Sequence, residues 1–245
     1  MRNAGAMTFT DTPATQPIGP LVDSHPAKRP ERVTLKGRWV TLAPLDPGKH
    51  AEALCEGSNG DPARERVWTY LPYGPYRSLG EFVADIELKA RSADPLFFAI
   101  IDNSSGRAVG YQSLMRVDPA NRVIEVGHVM YTPAIQRTAG AAETQYLFAR
   151  YVFDELGYRR YEWKCDNLNA PSKRAAERFG FTFEGIFRQH MIVKGRNRDT
   201  AWFAMLDGEW PARKAAYERW LAPDNFDVEG RQKLRLSELL SGSTE

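Results

Sequence analysis

The sequence predicts an α/β (α+β) fold: a mixed, mostly antiparallel sheet with one parallel strand pair, flanked by helices. Two observations predict it. Strand-like runs at 96–101, 108–115 and 123–131 are separated only by turn residues, Asp102-Asn103-Ser104-Ser105-Gly106 and Asp118-Pro119-Ala120-Asn121. Connections that short join antiparallel neighbours. A helix-period stretch (Ala142, Tyr146, Ala149, Phe153, Leu156, with Gly157 just past its end) then leads to the alternating run 158–165. That strand–helix–strand unit is long enough for a parallel crossover.

The remaining elements follow in order. Residues 1–31 are rich in Pro, Thr and small polar residues without a period, and read as a flexible arm. The alternative is an arm laid over a partner subunit. Order is expected from Arg32, with a strand or hairpin over 33–42 broken at Gly37 and a short helix over 47–55. Trp68, Tyr70, Tyr73 and Tyr76, spaced by Pro72, Gly74 and Pro75, cannot form a regular element. They wall a substrate pocket or form a buried crossing loop. Ser78 and Glu81 make a capping box for a helix to about Ser92. Asn169, with Pro171 behind it, opens another helix that Gly180 ends. Strands are expected at 181–187, 190–193 and 200–206, the last two joined by a basic turn, Lys194 to Asp199. The main domain spans 32–211. Residues 212–245 are a C-terminal helix and tail.

Composition excludes several classes. The chain has 245 residues, 42% hydrophobic and 26% charged, enough for a sizeable core in one or two domains. A net charge of +2 argues against a nucleic-acid partner. Two cysteines, Cys55 and Cys165, support neither a disulfide framework nor a zinc site, and no metal is expected. No apolar run approaches the roughly 20 residues of a membrane helix, and no apolar signal core opens the chain. A cytoplasmic protein is the default expectation. A homodimer stays open.

The chemistry concentrates at 125–143. A strand runs into a small-residue turn containing Arg137-x-x-Gly140-x-Ala142, and the turn opens a helix. Exposed backbone N–H groups and a helix N-terminus make an anion seat suited to a pyrophosphate. The other reading is an ordinary strand-to-helix turn in which Gly and Ala relieve crowding.

The order of elements, the Arg137 motif, Asn169-Ala170-Pro171-Ser172 followed by Glu177-Arg178-Phe179-Gly180-Phe181, Glu184-Gly185-x-x-Arg188, and Gly195-Arg196-Asn197-Arg198-Asp199 together resemble the GCN5-related N-acetyltransferase (GNAT) superfamily, within it the RimJ/RimL-like branch. The resemblance covers about Arg32 to Pro211. Thr138 and Ala139 depart from it, standing where many members carry Gly or a basic residue. It implies a GNAT-type sheet whose parallel strand pair splays to take acetyl-CoA. The pyrophosphate would sit on Arg137, Thr138, Ala139, Gly140, Ala141 and Ala142, and the pantetheine arm on Val129, Met130 and Tyr131. Asn169 would contact the arm or the thioester region. It implies acetyl transfer to an amine by direct attack, with Glu125 as base and Ser172 as acid.

Each role has a structural rival. Glu125 equally suits a salt bridge, and Ser172 a helix-start hydroxyl bonding the backbone. Strict alternation places His128 on the strand face opposite Glu125, as a packed histidine. Arg188 and the Lys194–Arg198 turn suit an acidic substrate, the ribose phosphate of CoA, or simple solvation. Two other functions compete: a catalytically silent acyl-CoA-binding regulatory module, and a nucleic-acid-associated protein using Arg159, Arg160 and the basic turn.

Overall fold

The structure is a computed structural model describing residues 16–242. Most of the expected arm, residues 1–15, lies outside the described residues. The chain meets the domain before Arg32: Ala27 N–H donates to the Pro119 carbonyl, Lys28 N–H to that of Leu156, and Glu31 N–H to the Tyr151 hydroxyl.

The elements run β1 (Leu35–Lys36), β2 (Val40–Pro44), α1 (Pro47–Ser58), α2 (Pro62–Glu65), α3 (Leu79–Arg91), β3 (Leu96–Asp102), β4 (Ala108–Asp118), β5 (Val123–Tyr131), α4 (Ala139–Arg150), β6 (Arg160–Asp166), α5 (Ala170–Arg178), β7 (Thr182–Val193), β8 (Arg196–Leu206), α6 (Trp210–Leu221) and α7 (Leu236–Ser241). The eight strands form one sheet in the order β1-β2-β3-β4-β5-β6-β8-β7. Among the described residues only β5 and β6 pair in parallel. The meander, the crossover and the hairpin at 33–42 are as expected.

The sheet has two apolar faces. One core packs Phe98, Leu114, Ile124, Val126, Tyr161 and Trp163 against α4 and α6. The other packs Phe97, Ala99, Tyr111 and Met130 against α1 and α3. Local chemistry fixes the helix starts. Ser78 Oγ accepts from Glu81 N–H at 3.2 Å. The Glu81 carboxylate reaches Arg77 N–H rather than that of Ser78, one residue further back than a standard capping box. Helix α4 is buried nearly all round, and its buried Glu143 carboxylate is satisfied by three N–H groups of the β1–β2 hairpin: Arg38 (2.7 Å), Trp39 (2.7 Å) and Val40 (2.9 Å).

Two sequence expectations change. The basic turn shrinks to Lys194 and Gly195, with φ of 49° and 72°. Two consecutive left-handed residues make a two-residue hairpin turn that matches strand twist, so Arg196 to Asp199 belong to β8. The expected pair of strands at 181–187 and 190–193 is one strand, β7, interrupted by register shifts near Gly185 and Gln189. The C-terminal residues also do more than trail: Trp210, Tyr217, Trp220 and Leu236 are buried, and Phe226 packs on Trp39 at 5.0 Å between ring centres.

Candidate active site

The parallel pairing of β5 with β6 stops at Val126↔Trp163. Beyond it β5 stays with β4 as far as Tyr131, and β6 stays with β8 as far as Asp166. The facing edges, 127–131 and 164–166, therefore part company and leave a wedge between them. A strand edge of this kind accepts an extended chain bearing amides.

At one end of the wedge lies the loop before α4. Arg137 has φ 64°, and Thr138 caps the helix, its Oγ1 accepting from Ala141 N–H at 3.3 Å. A cleft of about 860 Å³ opens there, lined by Arg137, Thr138, Ala139 and Gly140 together with Trp39, Arg107, Arg178, Phe226 and Arg231. Arg107 pairs with Glu56, and Arg231 with Asp227 and Glu229. Arg137 and Arg178 have no carboxylate within ion-pair distance among the described residues. Gly140 has a packing reason of its own: a Cβ there would stand 2.8 Å from Val40 Cγ1. Ala141 and Ala142 are buried inside the helix.

At the other end α5 begins. Asn169 Oδ1 accepts from Ser172 N–H at 3.1 Å, as expected of an N-cap. Ser172 Oγ accepts from Trp163 Nε1 at 3.0 Å. An indole nitrogen only donates, so the serine's own proton is free to point elsewhere. Cys165, its thiol pushed up by burial, sits beside the same hydroxyl.

His128 overturns the alternation read from the sequence. Between the pairs Tyr111↔Met130 and Ser113↔Gly127, β4 uses one residue and β5 uses two, a β-bulge with His128 at φ 51°. The bulge inverts the faces that follow. Met130 joins the α1/α3 core while Ile124 and Val126 face α4, and His128 ends on the same side as Glu125. There its ring stacks on Tyr73 at 5.7 Å, and Nδ1 lies 3.0 Å from the Tyr73 hydroxyl. Burial, reinforced by Lys89, lowers its pKa to about 4. The packed-histidine reading holds, with the face corrected.

Glu125 is buried on that face, with Oε2 2.8 Å from Lys164 Nζ and 3.6 Å from Arg116 Nε. Burial raises its pKa, and the two cations oppose the rise. Lys164 also touches Glu162 and lies over the Trp202 ring at 3.8 Å.

The aromatic loop divides. Trp68, expected on a pocket wall, is a core residue, 1% exposed, with its indole N–H donating to the Ser58 carbonyl at 2.7 Å. Tyr76 turns to Asp85 at 2.5 Å. Tyr73 meets His128, and Val129 and Tyr131 lie toward α4, with the Tyr131 hydroxyl 2.7 Å from Gln145 Nε2. Tyr70 bridges from the loop to the Leu168 carbonyl at 3.1 Å, and Lys194 from the β7–β8 turn reaches the Trp68 carbonyl at 2.8 Å. Loop and hairpin thus span the sheet face that carries Glu125 and His128. Sequence reasoning missed Arg116, Lys164 and the inward setting of Arg198. Lys194-Gly195 between strand-like runs was the available signal for the last.

Residues 40–182 match the Acetyltransferase (GNAT) domain family. A GCN5-related N-acetyltransferase from Brucella melitensis superposes with a TM-score of 0.87 at 54% identity, over 89% of this chain and 99% of that one. This chain belongs to the GNAT acetyltransferase family. It is thereby an acyltransferase. Among other GNAT relatives, the "Putative ribosomal N-acetyltransferase YdaF" of Bacillus subtilis (strain 168) is 29% identical over 180 residues, 71% of this chain and 95% of that protein. The "Uncharacterized N-acetyltransferase p20" of Bacillus licheniformis is 24% identical over 180 residues, 72% of this chain and 98% of that protein. No group of His, Cys, Asp or Glu among the described residues could hold a metal ion, and no described helix is long and apolar enough to cross a membrane.

Proposed function

We propose that this GNAT enzyme transfers an acetyl group from acetyl-CoA to a primary amine, either a protein N-terminal α-amine or a small-molecule amine, by direct attack on the thioester. The observation that carries this reading is the wedge that begins at Val126↔Trp163, with an arginine-lined cleft at the α4 N-terminus on one side and Ser172 on the other. The parts suit acetyl-CoA. The β5 edge at Val129, Met130 and Tyr131, beyond the last pair with β6, faces the pantetheine amides. Arg137 and the N–H groups of the α4 start match the pyrophosphate. When bound, acetyl-CoA supplies the acetyl thioester.

The remaining roles belong to the chain. Ser172, its oxygen occupied by Trp163, presents its proton to the departing sulfur. The amine must be neutral to attack. A lysine-type amine of pKa about 10.4 is neutral in roughly 0.04% of molecules at pH 7, an α-amine of pKa about 7.8 in roughly 14%. Glu125 takes the proton, directly or through water, and Lys164 opposes the rise in its pKa that burial causes. Tyr70 and Tyr73 wall the acceptor side. The name of the YdaF relative favours an amine of a ribosomal protein among the acceptors and agrees with the RimJ/RimL-like resemblance.

The test is acetyl-CoA with a panel of α-amines, peptides and polyamines, followed by thiol release and by the mass of the amine. Acetylation of at least one amine supports the reading. Saturable binding without turnover across the panel overturns it in favour of a silent acyl-CoA-binding module.

A further inference from the structure

We propose that the acceptor carries an anionic group, a carboxylate a few bonds from the amine, and that Arg198 with Arg116 receives it on the face that presents Glu125. This rests on the acetyl-transfer reading and names the substrate class of the same site.

Arg198 is the starting point. The two-residue turn at Lys194-Gly195 puts it inside β8 rather than at a solvated tip. Cross-strand pairs Lys164↔Trp202 and Asp166↔Thr200 place alternate β8 residues on the face of Lys164, and Arg198 continues that row. Its guanidinium is half-buried. Nε donates to Thr200 Oγ1 at 3.1 Å, and the other four N–H groups have no carboxylate within ion-pair distance among the described residues. A guanidinium held off solvent with its fork open is built for a planar anion.

Arg116 is the second cation. It reaches Glu125 with Nε only, at 3.6 Å, and its backbone is fixed at φ 48° by Asp94, whose carboxylate accepts from Arg116 N–H at 2.8 Å and Val117 N–H at 3.0 Å. The positive charges of Arg116 and Arg198 disfavour one another and a charged His190, whose Nδ1 shares Thr200 Oγ1 at 2.9 Å. The acidic groups that face Arg198 are Asp166 and Glu125. Asp166 accepts from Leu168 N–H at 2.9 Å, and Glu125 shares Lys164 with Glu162. An anion between the two guanidinium groups removes their repulsion and leaves the amine on the Glu125 side, facing the wedge.

The free amino acid and the acidic peptide N-terminus share this chemistry, and the test separates them. Free amino acids are compared with their carboxamides, and Ala-Asp peptides with Ala-Asn peptides, in wild type, Arg198→Gln and Arg198→Lys. Circular dichroism checks that the variants fold. The expected result is a preference of at least tenfold in kcat/KM for the carboxylate member of one pair. Arg198→Gln abolishes it, chiefly through KM, and Arg198→Lys restores it in part. Calorimetric titration of the preferred acceptor into the protein without acetyl-CoA gives saturable heat that Arg198→Gln removes. Equal use of both members, or a preference that survives Arg198→Gln, overturns the inference and leaves acetyl transfer standing. Binding of CoA without acetylation of any member overturns it also. A protein that takes up no CoA instead fails the reading beneath it.

Discussion

The Trp163 indole N–H donates to the Ser172 hydroxyl oxygen at 3.0 Å, joining the last β6 residue that pairs with β5 to the first turn of α5. Because the indole fixes that oxygen as an acceptor, the hydroxyl proton is directed away from Trp163. Ser172→Ala is expected to lower turnover well over tenfold with little change in acetyl-CoA affinity. Trp163→Phe, which keeps the ring and loses the N–H, should fall between the two. Steady-state kinetics beside calorimetric affinities separate these outcomes, and unchanged turnover in Ser172→Ala removes the hydroxyl from the chemistry.

Glu125 and Lys164 form a buried pair whose pKa balance sets a pH limb. Burial raises the Glu125 pKa and Lys164 holds it down. Lys164→Met removes the largest opposing charge, so the acid limb of kcat/KM should move to higher pH, while Glu125→Gln should flatten it. Profiles over the acid range decide this. A limb that stays in place in Lys164→Met means another group titrates. The same substitution strands a buried carboxylate and should cost stability as well.

Much of this site was legible in the sequence, for identifiable reasons. The Arg137 loop, the Asn169 cap and the meander announce themselves through short-range chemistry: a small-residue turn, an Asx cap behind a proline, turn residues between apolar runs. The bulge at His128 does not, because His-Val-Met-Tyr looks like uninterrupted strand and only pairing with β4 reveals the extra residue. The loop at Trp68 allowed two readings, a pocket wall or a buried crossing loop, and only packing shows that its largest ring fills the core. The C-terminal residues carry little periodicity, and their return to Trp39 depends on a contact nearly two hundred residues away in sequence.

His128 makes a pH-dependent contribution to stability. Its folded pKa of about 4 lies below the ordinary 6.5, so protonation favours the unfolded chain. The contribution is full above pH 6.5 and is lost as pH falls toward 4, on the order of 3 kcal/mol across that window. Denaturant unfolding of wild type and His128→Gln at pH 7.5 and pH 4 should show the variant losing less stability on acidification. Parallel losses contradict the assignment.

The Glu143 carboxylate holds three hairpin N–H groups beside the arginine-lined cleft. Glu143→Ala leaves the Val40 N–H buried and unsatisfied and the other two part-buried, and should cost about 3 kcal/mol, seen as a lowered Tm. Glu143→Gln, which keeps an acceptor oxygen, should cost less. A Tm unchanged in both would show that the hairpin is held by its apolar contacts instead.

The most direct test of the central claim is calorimetric titration with acetyl-CoA and CoA, with ATP for comparison. Wild type should bind both CoA forms saturably, and Arg137→Glu should weaken them at least tenfold without lowering Tm. Gly140 is the poorer position to alter, because any side chain there collides with Val40. No saturable heat from acetyl-CoA or CoA in folded wild-type protein would contradict the account at the wedge between β5 and β6.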